Sequence, residues 1–195
     1  DVAGTVLRVD AAGTGLTNTG LMRASNGGTL LLDAAPYTAN GGTVQALTGS
    51  TVLWDDGAQF SGGEFTTTGT GVIKLNGSAN IAADGTTNAV TINGHLLLDG
   101  AGDNSDRRLN IDGMIINNGL IELSASGSRD AALVTSAPGS GTVTISGSGT
   151  ITMNEATNAL ISGSNFATNV IIGAGQTIQG VGSIGGDRLI VTNTG

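Results

Sequence analysis

The stretch Asn117-Asn118-Gly119-Leu120-Ile121-Glu122-Leu123 decides the fold. A turn of Asn and Gly opens onto three or four residues of alternating apolar character, and the phrase returns along the chain. It recurs as Asn18-Thr19-Gly20-Leu21-Met22-Arg23-Ala24, as Asn40-Gly41-Gly42-Thr43-Val44-Gln45-Ala46 and, more loosely, as Gly147-Ser148-Gly149-Thr150-Ile151-Thr152-Met153. A second phrase, Gly with Ser or Thr ahead of a short apolar run, falls between them. Examples are Gly28-Thr29-Leu30-Leu31-Leu32, Gly49-Ser50-Thr51-Val52-Leu53, Thr70-Gly71-Val72-Ile73-Lys74-Leu75 and Gly141-Thr142-Val143-Thr144-Ile145. The interval from Gly20 to Gly42 is nearly the same as that from Gly42 to Gly63, after which insertions loosen the spacing. A period of about 20 holding two or three short strands reads as one solenoid coil per repeat.

Working outward, composition agrees. The chain has 195 residues, 34 of them Gly, and interior Gly costs a helix about 1 kcal/mol relative to Ala, which argues against a helix bundle. The glycines follow no period of three, so collagen is excluded. With 38% hydrophobic residues and a mean hydropathy of +0.18, the chain is too apolar for a disordered tract. No segment places apolar residues at i, i+3, i+4 and i+7 without being cut by Gly, so strands do not alternate with helices. The expected fold is an all-β parallel β-solenoid, residues 1–195 forming a single tract. Its short strands are bounded by Gly and Asn corners that accept positive φ, and Val, Ile and Thr favour the pleat. Such strands are too short to stand alone and must pair with their equivalents one coil away, at about 4.8 Å. Val44, Val52, Ile73, Leu96, Ile115, Ile121, Val143, Ile151, Ile171 and Ile178 are expected to point inward. Corner asparagines such as Asn18, Asn40 and Asn117 either stack as an amide ladder or simply tolerate the turn.

The phrases 117–123, 40–52 and Gly175-Gln176-Thr177-Ile178-Gln179-Gly180-Val181-Gly182-Ser183-Ile184 resemble the passenger regions of filamentous-haemagglutinin-like and autotransporter-type bacterial surface proteins. The resemblance implies a right-handed parallel β-helix, export across an outer membrane, an extracellular or cell-surface location and a surface role such as adhesion. A host-cell or surface glycan or protein ligand is implied with it.

Fifteen acidic against seven basic residues give a net charge of −8, the wrong sign for a phosphate backbone or an anionic membrane. No apolar run reaches the roughly 18 residues of a membrane-spanning helix. The chain has no Cys, so it carries neither disulfides nor thiolate metal sites. It opens in mid-coil and closes on Thr192-Asn193-Thr194-Gly195, the start of another repeat. It therefore reads as part of a longer repeat tract, or as a unit that stacks on copies of itself through open strand edges.

Few residues invite chemistry. His95 is the single histidine and reads as an outward-facing strand residue. The segment Asp99-Gly100-Ala101-Gly102-Asp103-Asn104-Ser105-Asp106, with Arg107 and Arg108 after it, echoes a calcium loop in which Asp99, Asp103 and Asp106 would be ligands. It lacks the closing Glu of an EF-hand, and a solvated projecting loop over 99–108, its acids neutralised by the two arginines, is the other reading. Asp55-Asp56 after Trp54 suggests a sugar platform beside carboxylates, with Glu64 and Asp84 as further acids for a β-helix polysaccharide-active enzyme. Thr66-Thr67-Thr68 and Thr142 to Thr144 suggest ranks of hydroxyls for an ice- or mineral-binding face. Gly139-Ser140-Gly141 and Gly147-Ser148-Gly149 read as turns and not as nucleophile elbows. Gly180-Val181-Gly182-Ser183-Ile184-Gly185 lacks the following helix that a dinucleotide loop needs. A structural and adhesive module with no enzymatic activity is the leading expectation, the enzyme and the ice- or mineral-binding surface its alternatives.

Overall fold

Alternation of side chains turns each short run into a strand with one face to water. Leu120–Ser124 is representative: Ile121 and Leu123 are fully buried while Leu120, Glu122 and Ser124 point outward. A computed structural model describes residues 3–11, 13–39, 41–82, 88–136, 141–164, 168–186 and 188–195. Asn40, Asp84, Gly139 and Ser140 lie outside the described residues.

Among the described residues, twenty-four strands form three eight-stranded sheets in which all strand pairing is parallel, and each coil adds one strand to each sheet. The first sheet holds the strands that begin at Val6, Thr29, Thr51, Val72, His95, Leu120, Thr150 and Thr177. The second holds those beginning at Leu16, Pro36, Gln59, Ser78, Arg107, Ala131, Ala159 and Ser183. The third holds those beginning at Leu21, Thr43, Glu64, Val90, Met114, Thr142, Thr168 and Leu189. The chain is thus an all-β, three-sided β-solenoid. Coil length varies: the step from Thr51 to its partner Val72 is much shorter than the step from Leu120 to its partner Thr150.

The repeated Asn-x-Gly phrase is one local device used at two different corners. Asn18-Thr19-Gly20 leads from the second sheet to the third, and Asn117-Asn118-Gly119 from the third to the first of the next coil. In both, Asn Oδ1 accepts from the Gly N–H two residues on, at 3.1 Å for Gly20 and 3.2 Å for Gly119. The same amides donate upward to the next coil, Asn18 to the Thr43 carbonyl at 3.2 Å and Asn117 to the Thr150 carbonyl at 3.3 Å. Asn117 is fully buried, and its amide also meets Gln176 Oε1 at 3.1 Å. Asn18 and Asn117 therefore do not ladder with one another, and the side-chain ladder runs one residue further along, on the outside. There Asn93 donates to Glu64, Asn118 donates to Asn93 at 2.9 Å, and Ser148 N–H donates to Asn118 at 3.3 Å.

Of the residues expected inward, Val44, Val52, Ile73, Leu96, Ile115, Ile121, Val143 and Ile151 are buried, and Ile178 is partly buried against the core. Ile171 is the exception. Val170 pairs with Val143 and Ile172 with Ile145, so the strand Thr168–Ile172 buries Thr168, Val170 and Ile172 and turns Ile171 outward. Two adjacent isoleucines hide the phase of the alternation, and only the neighbouring coil sets it. Tyr37, Trp54, Phe60 and Phe65 gather in the lumen. Trp54, Phe60 and Phe65 come from the three sheets of one coil, with ring centroids 4.2 Å (Trp54–Phe60), 4.8 Å (Trp54–Phe65) and 5.2 Å (Phe60–Phe65) apart. Tyr37 stacks on Phe60 from the coil before, at 5.3 Å. Its single hydroxyl proton is shared between the carbonyls of Val9 (3.1 Å) and Asp33 (3.0 Å), and burial pushes its pKa up to about 12.

Candidate functional site

The corner between the first and second sheets departs from a minimal coil in three successive coils. In the fifth coil, strand His95–Asp99 is followed by one helical turn, Gly100–Asp103, which Asp99 caps by accepting from Gly102 N–H at 2.7 Å. Asn104 ends the turn at φ +50°, and strand Arg107–Asp112 begins soon after. The projecting part of 99–108 is thus the stretch between Asp99 and Arg107, and it does not stand alone. The next two coils also carry insertions here, and they stack on it. Asp130 N–H donates to Asp106 Oδ1 at 3.1 Å, Arg129 Nε reaches Asn104 Oδ1 at 3.4 Å, and Asn158 donates to the Ser126 carbonyl at 2.7 Å. The result is a ridge along one corner of the solenoid.

An ion network sits at its foot. Lys74, on the outward face of the fourth coil, places Nζ 3.1 Å from Asp99 and 3.4 Å from Asp103, and Arg107 donates to Asp103 at 3.1 Å. The Arg107 side chain is 5% exposed, so one member of the network is a buried cation. Asp99 and Asp103 both reach Lys74, while Asp106 turns to the backbone of Asp130. Among the described residues no three His, Asp or Glu side chains converge as metal ligands. A cation at this ridge would compete with Lys74 and Arg107 for the carboxylates. Lys74 carried no signal in the sequence, because it lies a whole coil before Asp99 and only the coil length makes them neighbours. Arg8 reaches Asp33 across the same interval at the other end of the first sheet.

Partial burial pushes the Asp99 carboxyl up, but the Gly102 N–H and the Lys74 ammonium outweigh it and hold the pKa below the usual carboxylate value. A carboxylate depressed in the folded state contributes stability that is present above its unfolded pKa and lost as pH falls through the folded value. Thermal stability is therefore expected to fall as pH drops below about 4, and Asp99→Asn is expected to flatten that part of the profile. Melting curves of both proteins between pH 6 and pH 3 check this; parallel profiles would remove Asp99 from the account.

The remaining candidates are dispersed. Trp54 is fully buried within the aromatic cluster and offers no sugar platform, because its strand alternates inward at Val52 and Trp54. Asp55 accepts from Asn76 at 2.9 Å and Asp56 from Ser78 N–H at 2.7 Å, whereas Glu64 stands on the third sheet. His95 points outward, its Nε2 2.9 Å from Glu122 Oε2 in the next coil. Thr66 and Thr144 fall in different outward columns, and the column Thr43, Glu64, Thr91, Ile116 is chemically mixed. The segment 180–185 forms the end of strand Thr177–Val181 and strand Ser183–Gly185.

These features define a three-sided parallel β-solenoid carrying a stacked corner ridge. The chain matches no family model, no curated protein and no solved structure.

Proposed function

We propose that the chain is a structural and adhesive β-solenoid segment of a bacterial surface protein, extracellular in location, whose coils supply a rigid rod. The observation that carries this reading is the continuity of the stack: each sheet adds one strand per coil in parallel register from the first coil to the eighth. Length then grows with coil number at about 4.8 Å per coil, and each coil needs only its two neighbours for stability. The sequence resemblance to exported surface proteins supports the location. Large apolar residues that are in register with buried ones yet exposed lie in the terminal coils, Leu7 at one end and Ile184 and Val191 at the other. Further coils, from a parent chain or from a second copy, are the partners that would cover them. Asp55 ends a strand of the first sheet and Glu64 begins one of the third, so these acids do not share a face, and no observation favours the polysaccharide-active reading.

Small-angle scattering of the chain and of its tandem duplicate tests the rod. The expected result is an unchanged cross-sectional radius and roughly twice the length. A compact, near-spherical envelope for either protein would overturn the proposal.

A further inference from the structure

Beside the ridge, the outward face of the first sheet holds a ledge of about 460 Å³, within the roughly 300–1,000 Å³ of small-molecule sites. At one end its floor is Thr29, Thr51 and Leu53 of the second and third coils. Thr51 stands in register beside Thr29, and Leu53 is the next outward residue of the Thr51 strand. At the other end Lys74 and Asn76 of the fourth coil meet Asp103 and Arg107 of the fifth. The ledge closes at that end because of the inserted turn. The fourth coil passes from Asn76 to Ser78 on Gly77 alone, whereas the fifth places the turn Gly100–Asp103 between its strands.

The closed end is ordered by its own contacts. Arg107, almost wholly buried, is fixed by Asp103 at 3.1 Å and by the Asp106 carbonyl at 3.2 Å. Lys74 is fixed by Asp99 and Asp103. Two cations thus meet two carboxylates, and the network is neutral in a chain that carries −8. These groups still have bonding capacity. Lys74 Nζ directs two of its three protons at carboxylates, and each Asp103 oxygen accepts one bond and has a further lone pair. Asn76 donates its amide to Asp55 at 2.9 Å, which leaves its side-chain oxygen as an acceptor. Among the described residues the Thr29 and Thr51 hydroxyls form no hydrogen bond.

A neutral network over free hydroxyls and one aliphatic side chain separates ligand classes. An anion would meet Asp99 and Asp103, and a cation would have to displace Lys74 or Arg107 from them. A nucleic acid would find no aromatic stacking platform here. A peptide adding as a strand needs a free sheet edge, which a solenoid's lateral face does not present. A neutral sugar fits the capacity that remains, because its ring edges carry hydroxyls that both donate and accept and its faces are C–H. The ledge runs from the second coil to the fifth, three strand spacings or about 14 Å along the axis. That length suits a short chain of rings rather than a single one.

We propose that this ledge binds a short neutral oligosaccharide lying along the solenoid axis. Leu53 meets a ring C–H face, the Thr29 and Thr51 hydroxyls and the Asn76 oxygen bond sugar hydroxyls, and the remaining Lys74 proton and Asp103 lone pairs orient the chain. This inference rests on the adhesive role proposed above and names its ligand class. Its test is separate from the rod measurement, because a rod that binds no neutral sugar leaves the structural reading in place.

The test is NMR titration of the whole chain with lactose, maltotriose, cellotriose and triacetylchitotriose, with digalacturonate as the charged probe. At least one neutral sugar is expected to bind with a Kd of about 1 mM or tighter, and digalacturonate at least about tenfold more weakly than that sugar. The neutral sugar is expected to bind equally at low and high salt. Thr51→Val, which keeps the shape and deletes one hydroxyl, is expected to lose about fivefold, the scale of one neutral hydrogen bond. Leu53→Ala, which lowers the floor, is expected to lose at least as much, and thermal melts check that both variants fold. Thr150→Val changes the same outward column four coils further on, outside the ledge, and is expected to bind as wild type. No binding of any neutral sugar, digalacturonate equal to the best of them, full affinity in both ledge variants, or an equal loss in Thr150→Val would overturn the proposal.

Discussion

Phe60→Ala is expected to lower stability by about 3–5 kcal/mol, the range for emptying a buried aromatic site. Phe60 is 1% exposed and is the ring on which Tyr37, Trp54 and Phe65 all pack. Aromatic pairs add about 0.5–1.5 kcal/mol each beyond area burial, so the loss belongs near the upper end. Relaxation cannot offset it, because the lumen walls are three hydrogen-bonded sheets whose spacing the coils above and below hold fixed. Trp54 is the single tryptophan, fully buried beside the site, so urea unfolding followed by its emission reads the effect directly. Phe60→Leu keeps most of the volume and is expected to lose less than half as much. A cost below about 1 kcal/mol for Phe60→Ala would show that the lumen collapses around the gap.

Gly119→Ala is expected to be nearly as damaging, about 3 kcal/mol, the upper range for overpacking. A Cβ on Gly119 would lie 2.1 Å from the Gly94 carbonyl oxygen in the coil below, and one on Gly149 would lie 2.4 Å from the Gly119 oxygen. Those carbonyls are already used: Leu120 N–H donates to Gly94 O at 2.9 Å and Thr150 N–H to Gly119 O at 2.8 Å. The obstacle is backbone, which cannot swing away as a side chain can, so the extra methyl must lift one coil from the next. Gly127→Ala is the control. It meets no atom within 4 Å and needs no left-handed φ, so it is expected to be neutral or to add up to about 1 kcal/mol by restricting the unfolded chain. Thermal melts of the two variants side by side check the contrast, and equal melting temperatures would contradict it.

Gly20, Gly42 and Gly63 stand at one corner of successive coils, and the intervals between them are coil lengths, so the period is a direct measure of the perimeter. Strand phase is equally legible wherever apolar and polar residues alternate, as in Leu120–Ser124. It fails at Ile171-Ile172, where two isoleucines offer both phases and pairing with Val143 and Ile145 selects one. It also fails at Trp54, which next to Asp55 and Asp56 looks like surface chemistry until its strand is phased with Val52 inward.

The candidate sites lie further from the sequence than the fold does. The acids of 99–106 are visible as a cluster, yet their partner Lys74 lies one coil back, and the insertions that stack on them belong to the next two coils. Thr51 and Asp103 belong to one ledge although they enter the chain two coils apart.

Period, corner residues and alternation are local properties, set by sterics at Gly and Asn and by which side of a strand is apolar. They suffice for an all-β solenoid of short parallel strands. Which side chains meet depends on the length of every intervening coil, and that length differs between the coil that carries Thr51 to Val72 and the one that carries Leu120 to Thr150. An insertion at one corner shifts every later residue in number but not in stacking position. For that reason the aromatic cluster, the ion network and the ledge beside it exist only once the coils are stacked.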